Sequence, residues 1–232
     1  MDTSVRISQS QVYQKKSRIK IIMLKIYYAD SAIFRTQYNL EKLLSFLPKS
    51  LHAKALRYRM PQDAFNFALG KLMLKKGLEE MGLDNDLEKI QFNENEKPFL
   101  ENVFFNISHS GKYVVCAVTQ AGEVGIDLEK PRDVSLENFE MNFTKKEWIN
   151  ITTHAFPLKK FYWYWVRKES IIKALGVNLS YLNQIELESG KDFFIENDQR
   201  WFLKDLHFGD DCFFAICSEV EFEKVEMILF EL

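Results

Sequence analysis

Two short apolar runs of closely similar make-up, Tyr113-Val114-Val115-Cys116-Ala117-Val118 and Phe213-Phe214-Ala215-Ile216-Cys217, stand in the two halves of the chain, each after a loop and before an exposed turn. Each closes a stretch with the same order of signals, helical periodicity first and short strand-like runs after it. A chain built this way points to a duplicated α+β architecture of two similar α/β halves related by a pseudo-twofold. No Pro-, Gly- or Ser-rich linker separates the halves, so they are expected to share one interface. The expected boundaries are 23–122 and 123–232. Residues 1–22 are mostly polar and basic, lack the apolar segment of a secretory signal, and are expected to form a poorly ordered extension.

Local signals fill in the halves. Helices are expected at 38–46, from about Ser50, and from Pro61 to Met81, where Gly82 is a C-cap. Strands are expected at 90–92, 103–107, 113–118 and 124–129. In the second half, Thr144-Lys145-Lys146-Glu147 has the form of a capping box, in which Thr and Glu satisfy free amides at a helix start. A long helix follows from about Leu158 to Leu175 and stops at Gly176. Further strands are expected at 184–188, 191–195, 200–206, 212–217 and 225–230.

Composition excludes several classes. With 47% apolar and 28% charged residues, only 9 Gly and 5 Pro, the 232-residue chain is neither collagenous nor of low complexity. Thirty-one basic against 33 acidic residues give a net charge of −2, which argues against a general nucleic-acid binder. No run of eighteen apolar residues occurs. The three cysteines show no CxxC or Cys/His pattern, as expected of reduced thiols in a cytoplasmic protein.

Three motifs carry chemistry. In Gly125-Ile126-Asp127-Leu128-Glu129, strand alternation puts Asp127 and Glu129 on one face, with Cα atoms about 7 Å apart. Two carboxylates so close repel unless a cation lies between them, and a hard divalent ion suits their oxygens. A solvated strand face also fits this pair taken alone. In Trp165-Val166-Arg167-Lys168-Glu169-Ser170-Ile171-Ile172-Lys173, Glu169 and Lys173 stand at i, i+4 on a helix wrapped in aromatic and aliphatic residues. An ordinary surface ion pair has the same spacing, but charges on a buried helix need strong partners. Phe105-Asn106-Ile107-Ser108-His109-Ser110-Gly111 sets hydroxyls and an imidazole between two apolar strands. That is either a phosphate-binding loop or a polar turn, and no nucleophilic triad accompanies its serines. Lys54, Arg57 and Arg59 add a basic helix, and Lys97-Pro98 ends a polar loop.

Taken in series, Lys97-Pro98, FNISHSG (105–111), GIDLEKPRD (125–133), FTKKEW (143–148) and WVRKESIIKALG (165–176) resemble the Sfp-type 4′-phosphopantetheinyl transferases, from about Met23 to the C-terminus. The resemblance implies that the active site lies in the cleft between the halves, that coenzyme A binds there, and that a serine hydroxyl of an apo acyl- or peptidyl-carrier protein attacks the β-phosphorus of the coenzyme. Adenosine 3′,5′-bisphosphate then leaves. Asp127, Glu129 and Glu169 would hold Mg2+ (or Mn2+), and Glu169 would serve as base, directly or through water. Lys173 would hold the pyrophosphate. Lys54 and His109 would lie at the 3′-phosphate, with Lys97, Pro98 and Ser108 at the nucleotide end. Carrier recognition would use the segment around Val177–Tyr181, and the duplication implies a monomer.

Relatives often carry Gly before Lys-Pro where this chain has Glu96. They commonly carry Arg where Phe65-Asn66-Phe67 stands, and often a basic residue at the place of Leu51. Arg57 or Arg59 are the expected substitutes. Two other functions use the same residues: another Mg-dependent phosphotransferase or hydrolase acting on nucleotides, and a CoA- or carrier-binding module without turnover.

Overall fold

The computed structural model describes residues 22–188, 190–209 and 211–232. The expected N-terminal extension therefore lies, apart from Ile22, outside the described residues. The first half runs β1 (Met23–Asp30), α1 (Ser31–Gln37), α2 (Leu40–Leu44), α3 (Lys49–Ala55), α4 (Pro61–Glu80), β2 (Gln91–Phe92), β3 (Pro98–Phe99), β4 (Phe104–Ser110) and β5 (Tyr113–Thr119). The second runs β6 (Val124–Glu129), α5 (Lys145–Thr152), α6 (Pro157–Leu175), β7 (Phe193–Glu196), β8 (Gln199–Phe208), β9 (Cys212–Ser218) and β10 (Lys224–Leu229). Two four-stranded sheets result, ordered β10-β1-β5-β4 and β6-β9-β8-β7.

Strand alternation sorts the side chains into three cores. Val114, Cys116 and Val118 pack with Phe65, Leu69, Leu72 and Met73 of α4. Val115 and Ala117, on the other face of β5, meet Ile126, Leu128, Phe214 and Ile216 of the second sheet. Cys217 and Leu203 pack with Phe161, Tyr164, Ile171 and Ala174 of α6. The two sheets are thus fused along an apolar layer, with one long helix outside each. The expected α+β fold of two similar halves is what forms.

Local chemistry explains the ends of the elements. Pro61 occupies the first turn of α4, where its missing N–H costs nothing. Thr144 and Glu147 form the full capping box at α5. Gly176 caps α6 in the left-handed conformation, φ +69°.

Two expectations change. The last strand, read as part of 123–232, pairs parallel with β1 in the first sheet, Leu24 opposite Val225 and Ile26 opposite Met227. A parallel neighbour needs a long crossover, and here all of the chain between Asp30 and Lys224 supplies it. Residues 184–188 form no strand: a 3-10 turn spans Leu179–Gln184, and the alternating Ile185 and Leu187 are simply buried in the α6 core. The Leu187 amide bonds the Glu147 carboxylate at 2.9 Å instead of a neighbouring strand.

Candidate active site

The site lies where the edge strands β4 and β6 face each other under α6. Gly125 makes the approach of strand and helix close. A Cβ there would stand 2.1 Å from the Ser170 carbonyl oxygen and 2.3 Å from the Ala174 amide nitrogen, which no side chain tolerates. Asp127 and Glu129 share the face of Gly125, so the same contact carries them toward Glu169 and Lys173.

Three side chains of β4 close the open edge of β6. Asn106 Oδ1 accepts from the Ile126 amide (3.0 Å), Ser108 Oγ from Leu128 (3.3 Å) and Ser110 Oγ from Lys130 (3.0 Å). A polar side chain at every second residue thus replaces a backbone ladder and fuses the sheet edges. The two hydroxyls also hold the acids: Ser108 Oγ donates to Asp127 Oδ1 (3.0 Å) and Ser110 Oγ to Glu129 Oε2 (2.6 Å). The ladder is legible in the alternation of FNISHS, but Asn106 and Ser110 were not among the expected site residues.

Lys173 Nζ lies 2.5 Å from Asp127 Oδ1 and 4.0 Å from Glu169 Oε2. Burial favours its neutral form, but Asp127 and Glu169 outweigh burial and hold its pKa above the usual lysine range. Burial pushes Glu169 up to about 7, Lys173 opposing and the charges of Asp127 and Glu129 adding to the rise. Glu129 is also raised, by burial first, against the Ser110 hydrogen bond. Asp127 Oδ2 is the one buried side-chain oxygen or nitrogen among the described residues that lacks a hydrogen-bond partner. An orphaned carboxylate oxygen beside two acids short of charge compensation fits a hard, oxygen-seeking cation. No group of three His, Cys, Asp or Glu side chains is drawn together in metal-holding geometry among the described residues. Here Lys173 compensates Asp127 while Ser110 holds Glu129.

A cavity of about 800 Å³ opens on the α3–α4 side of β4. Lys54, Arg57, Pro98 and His109 line it, so these four expected residues come together. The Lys54 ammonium stands 3.9 Å from the centre of the Phe92 ring. Burial lowers the pKa of His109, Asp63 opposing, Lys173 adding to the fall and Asp127 opposing it.

Two expected nucleotide contacts are otherwise engaged. Lys97 Nζ meets Glu123 Oε2 (2.5 Å) and the Ala174 carbonyl (2.7 Å), a cation at the C-terminal end of α6. Ser108 is buried in the β4–β6 ladder. Both residues hold the junction rather than face the cavity.

A 4′-phosphopantetheinyl transferase superfamily model matches residues 123–218, and a 4′-phosphopantetheinyl transferase N-terminal model matches residues 35–121. Similar curated proteins include the 4′-phosphopantetheinyl transferase Sfp of Bacillus subtilis (strain 168), 32% identical over 166 residues that cover 68% of this chain and 72% of Sfp. The 4′-phosphopantetheinyl transferase gsp of Aneurinibacillus migulanus is 35% identical over 139 residues, 58% of each chain. HetI of Nostoc sp. (strain PCC 7120 / SAG 25.82 / UTEX 2576), also a 4′-phosphopantetheinyl transferase, is 29% identical over 194 residues, 77% of this chain and 81% of HetI. With both halves matched and the carboxylates, Lys173 and the basic cavity in one junction, this chain belongs to the 4′-phosphopantetheinyl transferase superfamily, in its Sfp type.

Proposed function

We propose that this transferase moves the 4′-phosphopantetheine of coenzyme A onto a serine hydroxyl of an apo acyl- or peptidyl-carrier protein, as a monomer in the cytoplasm. The observation that carries the reading is the convergence of Asp127, Glu169 and Lys173 at the junction, with an unpartnered carboxylate oxygen, beside a cavity lined by Lys54, Arg57 and His109.

Asp127, Glu129 and Glu169 are the residues that would hold Mg2+. Once bound, the ion supplies neutralising charge to the diphosphate. The chain's own groups do the rest. Glu169 would accept the serine proton, directly or through a water. The serine oxygen then bonds to the β-phosphorus, and the bond from that phosphorus to the oxygen bridging toward adenosine breaks. The electron pair leaves on adenosine 3′,5′-bisphosphate, where Lys173 stabilises the new negative charge. The cavity seats the nucleotide end of coenzyme A, its Phe92 and Pro98 walls offering faces for a base. The carrier would dock after α6, around Val177–Tyr181, where Leu179 is 56% exposed.

Mass spectrometry tests the reading directly. Incubation with coenzyme A, Mg2+ and an apo carrier should add one phosphopantetheine to the carrier serine. Asp127→Ala and Glu169→Ala should each abolish the addition while the unfolding transition persists. Phosphate release without carrier modification would instead indicate a hydrolase, and coenzyme A binding with an unchanged carrier a binding module.

A further inference from the structure

Among the described residues the hairpin β2–β3 pairs only with itself, Gln91 opposite Phe99 and Phe92 opposite Pro98, and joins neither four-stranded sheet. Two strands of two residues each do not hold a position on their own. Yet Phe92, Glu96 and Pro98 form one wall of the cavity. The turn between the strands is fixed internally. Asn93 Oδ1 accepts the amides of Asn95 (3.0 Å) and Lys97 (2.8 Å), and Glu96 takes the left-handed conformation, φ +63°. What places this turn in the molecule is the end of α6. Asn93 Nδ2 and Asn95 Nδ2 both donate to the Gly176 carbonyl, at 3.2 and 3.0 Å, and Lys97 Nζ donates to the Ala174 carbonyl at 2.7 Å. Lys97 also holds Glu123, just before β6. The last carbonyls of a helix have no partner within it, and here three side chains from the other half serve them. Gly176 permits the contact: a Cβ there would stand 2.8 Å from Asn93 Nδ2 and 2.9 Å from Lys97 Cδ.

We infer that Lys97, with Asn93 and Asn95, is a positioning residue of the transfer: it clamps the cavity wall to the last turn of α6 and so sets where a nucleotide in the cavity stands relative to Glu169 and Lys173. This deepens the proposed function and rests on it. Lys173 is the residue before Ala174, and its ammonium lies against Asp127 and Ser108. Lys97 therefore acts one residue away from the group that meets the diphosphate, without itself facing the cavity. Its ammonium is a cation at a helix C-terminus on a side chain only 13% exposed, so solvent screens the contact little. Phosphoryl-type transfer depends mostly on positioning, and a displacement of about 1 Å costs on the order of a hundredfold in rate. The cavity cations Lys54, Arg57 and His109 are carried by α3, the turn after it and β4, not by the hairpin. Loosening the clamp leaves them available to the nucleotide but spreads the reacting groups over many distances. The loss then falls on turnover rather than on nucleotide affinity. A lysine that touched the nucleotide would show the opposite split.

Wild type, Lys97→Met, Lys97→Arg and Asn95→Asp are compared below the onset of unfolding of each. Transfer to an apo carrier gives kcat and KM for coenzyme A, and calorimetric titration with adenosine 3′,5′-bisphosphate gives nucleotide affinity. Hydrogen exchange read by mass spectrometry follows peptides covering 91–99 and 172–180. Lys97→Met should lower kcat about tenfold to a hundredfold and change affinity for the bisphosphate by less than about threefold. It should also speed exchange in both segments together. Lys97→Arg, which keeps donors for both acceptors, should recover most of the turnover. Asn95→Asp, which sets a carboxylate against the Gly176 carbonyl, should lower kcat with bisphosphate affinity kept. A tenfold loss of bisphosphate affinity at unchanged kcat would make Lys97 a nucleotide contact, and unchanged kcat and affinity per folded molecule would make it a packing residue; either overturns the inference. So would faster exchange confined to one segment. If wild type modifies no carrier, the transferase reading fails by itself: joint exchange of the two segments in Lys97→Met then keeps the clamp, and unchanged exchange removes it.

Discussion

The long helix of each half buries a lysine among aromatic rings, and the two lysines are treated in opposite ways. Lys168 on α6 lies 5.1 Å from the centre of the Phe143 ring, and its ammonium meets Glu147 Oε2 at 2.5 Å with both side chains 1% exposed. The same carboxylate accepts the Thr144 and Leu187 amides. Every polar atom of that pair is used to join α5, α6 and the following loop. Lys71 on α4 is also buried, with comparable ring faces, but among the described residues no carboxylate forms an ion pair with it. Burial lowers both pKa values, and only for Lys168 does a neighbouring acid push back strongly. A buried charge matched by the fold belongs to the architecture, whereas one left unmatched is a cost that the fold carries.

The comparison breaks most visibly through stability. Lys168→Met leaves Glu147 buried and uncompensated, so urea unfolding should show a loss of about 3–5 kcal/mol. Lys71→Met removes an uncompensated charge and strands nothing, so it should cost no stability at pH 7 and can raise it. Combining Lys168→Met with Glu147→Leu should recover part of the loss, though the Thr144 and Leu187 amides then lack their acceptor. Equal destabilisation by Lys71→Met and Lys168→Met would erase the distinction between the helices.

Dependence on pH sharpens it. The unfolded chain keeps Lys71 protonated to about pH 10.4, whereas the folded protein holds that proton only to about pH 8. Between those values the unfolded state binds more protons, so stability must rise with pH. Below about pH 8 the full penalty is present. Facing Lys71 are Lys54 and Arg57 from the α3 side, His109 from β4, the rim acids Glu88 and Glu96, and Cys116, whose thiol burial pushes up to about 12. Cys116 is present in wild type and in Lys71→Met alike, so the effect of its own titration cancels between them. Relative to Lys71→Met, the wild type should therefore gain on the order of 2 kcal/mol between pH 7.5 and 10.5. Parallel stability curves for the two proteins would show that Lys71 is not held in this state.

Legibility in the sequence follows the same division. Gly125-x-Asp127-x-Glu129 and Glu169-x-x-x-Lys173 were readable because strand and helix periods fix which side chains share a face. Gly125 itself was unexplained until α6 was seen against it. The Thr144–Glu147 box was legible as a cap, while the second duty of Glu147, holding Lys168, depends on contacts made by residues far along the chain. The return of β10 to β1 was invisible because strand signals carry no address. The run at 184–188 misled because burial alternates there without a neighbouring strand. Lys71 gave no signal at all: a lysine on a helix reads as solvated, and only the cavity and the rings across from it show otherwise.

Strand β4 repeats the contrast within seven residues. On one face Asn106, Ser108 and Ser110 use their polar atoms on β6, and on the other His109 lines the cavity. The smallest expected effects lie in that ladder, and they separate support of the fold from support of the chemistry. Asn106→Ala and Ser108→Ala each strand a buried amide, of Ile126 and Leu128, and should cost about 1–3 kcal/mol in unfolding. Ser110→Ala frees the Lys130 amide, which sits on an exposed residue, and should cost only a few tenths. The order should reverse when the Mg2+ concentration needed for transfer is measured at fixed coenzyme A. Ser110 steadies Glu129 and Ser108 steadies Asp127, whereas Asn106 touches neither acid. Ser110→Ala should raise that requirement by a few-fold to tenfold, and Asn106→Ala should leave it unchanged in the fraction that is folded. Ser110→Thr, which keeps the hydroxyl, should restore it. An Mg2+ requirement that simply followed stability across the three variants would mean that the ladder joins the sheets and does nothing further for the acids it touches.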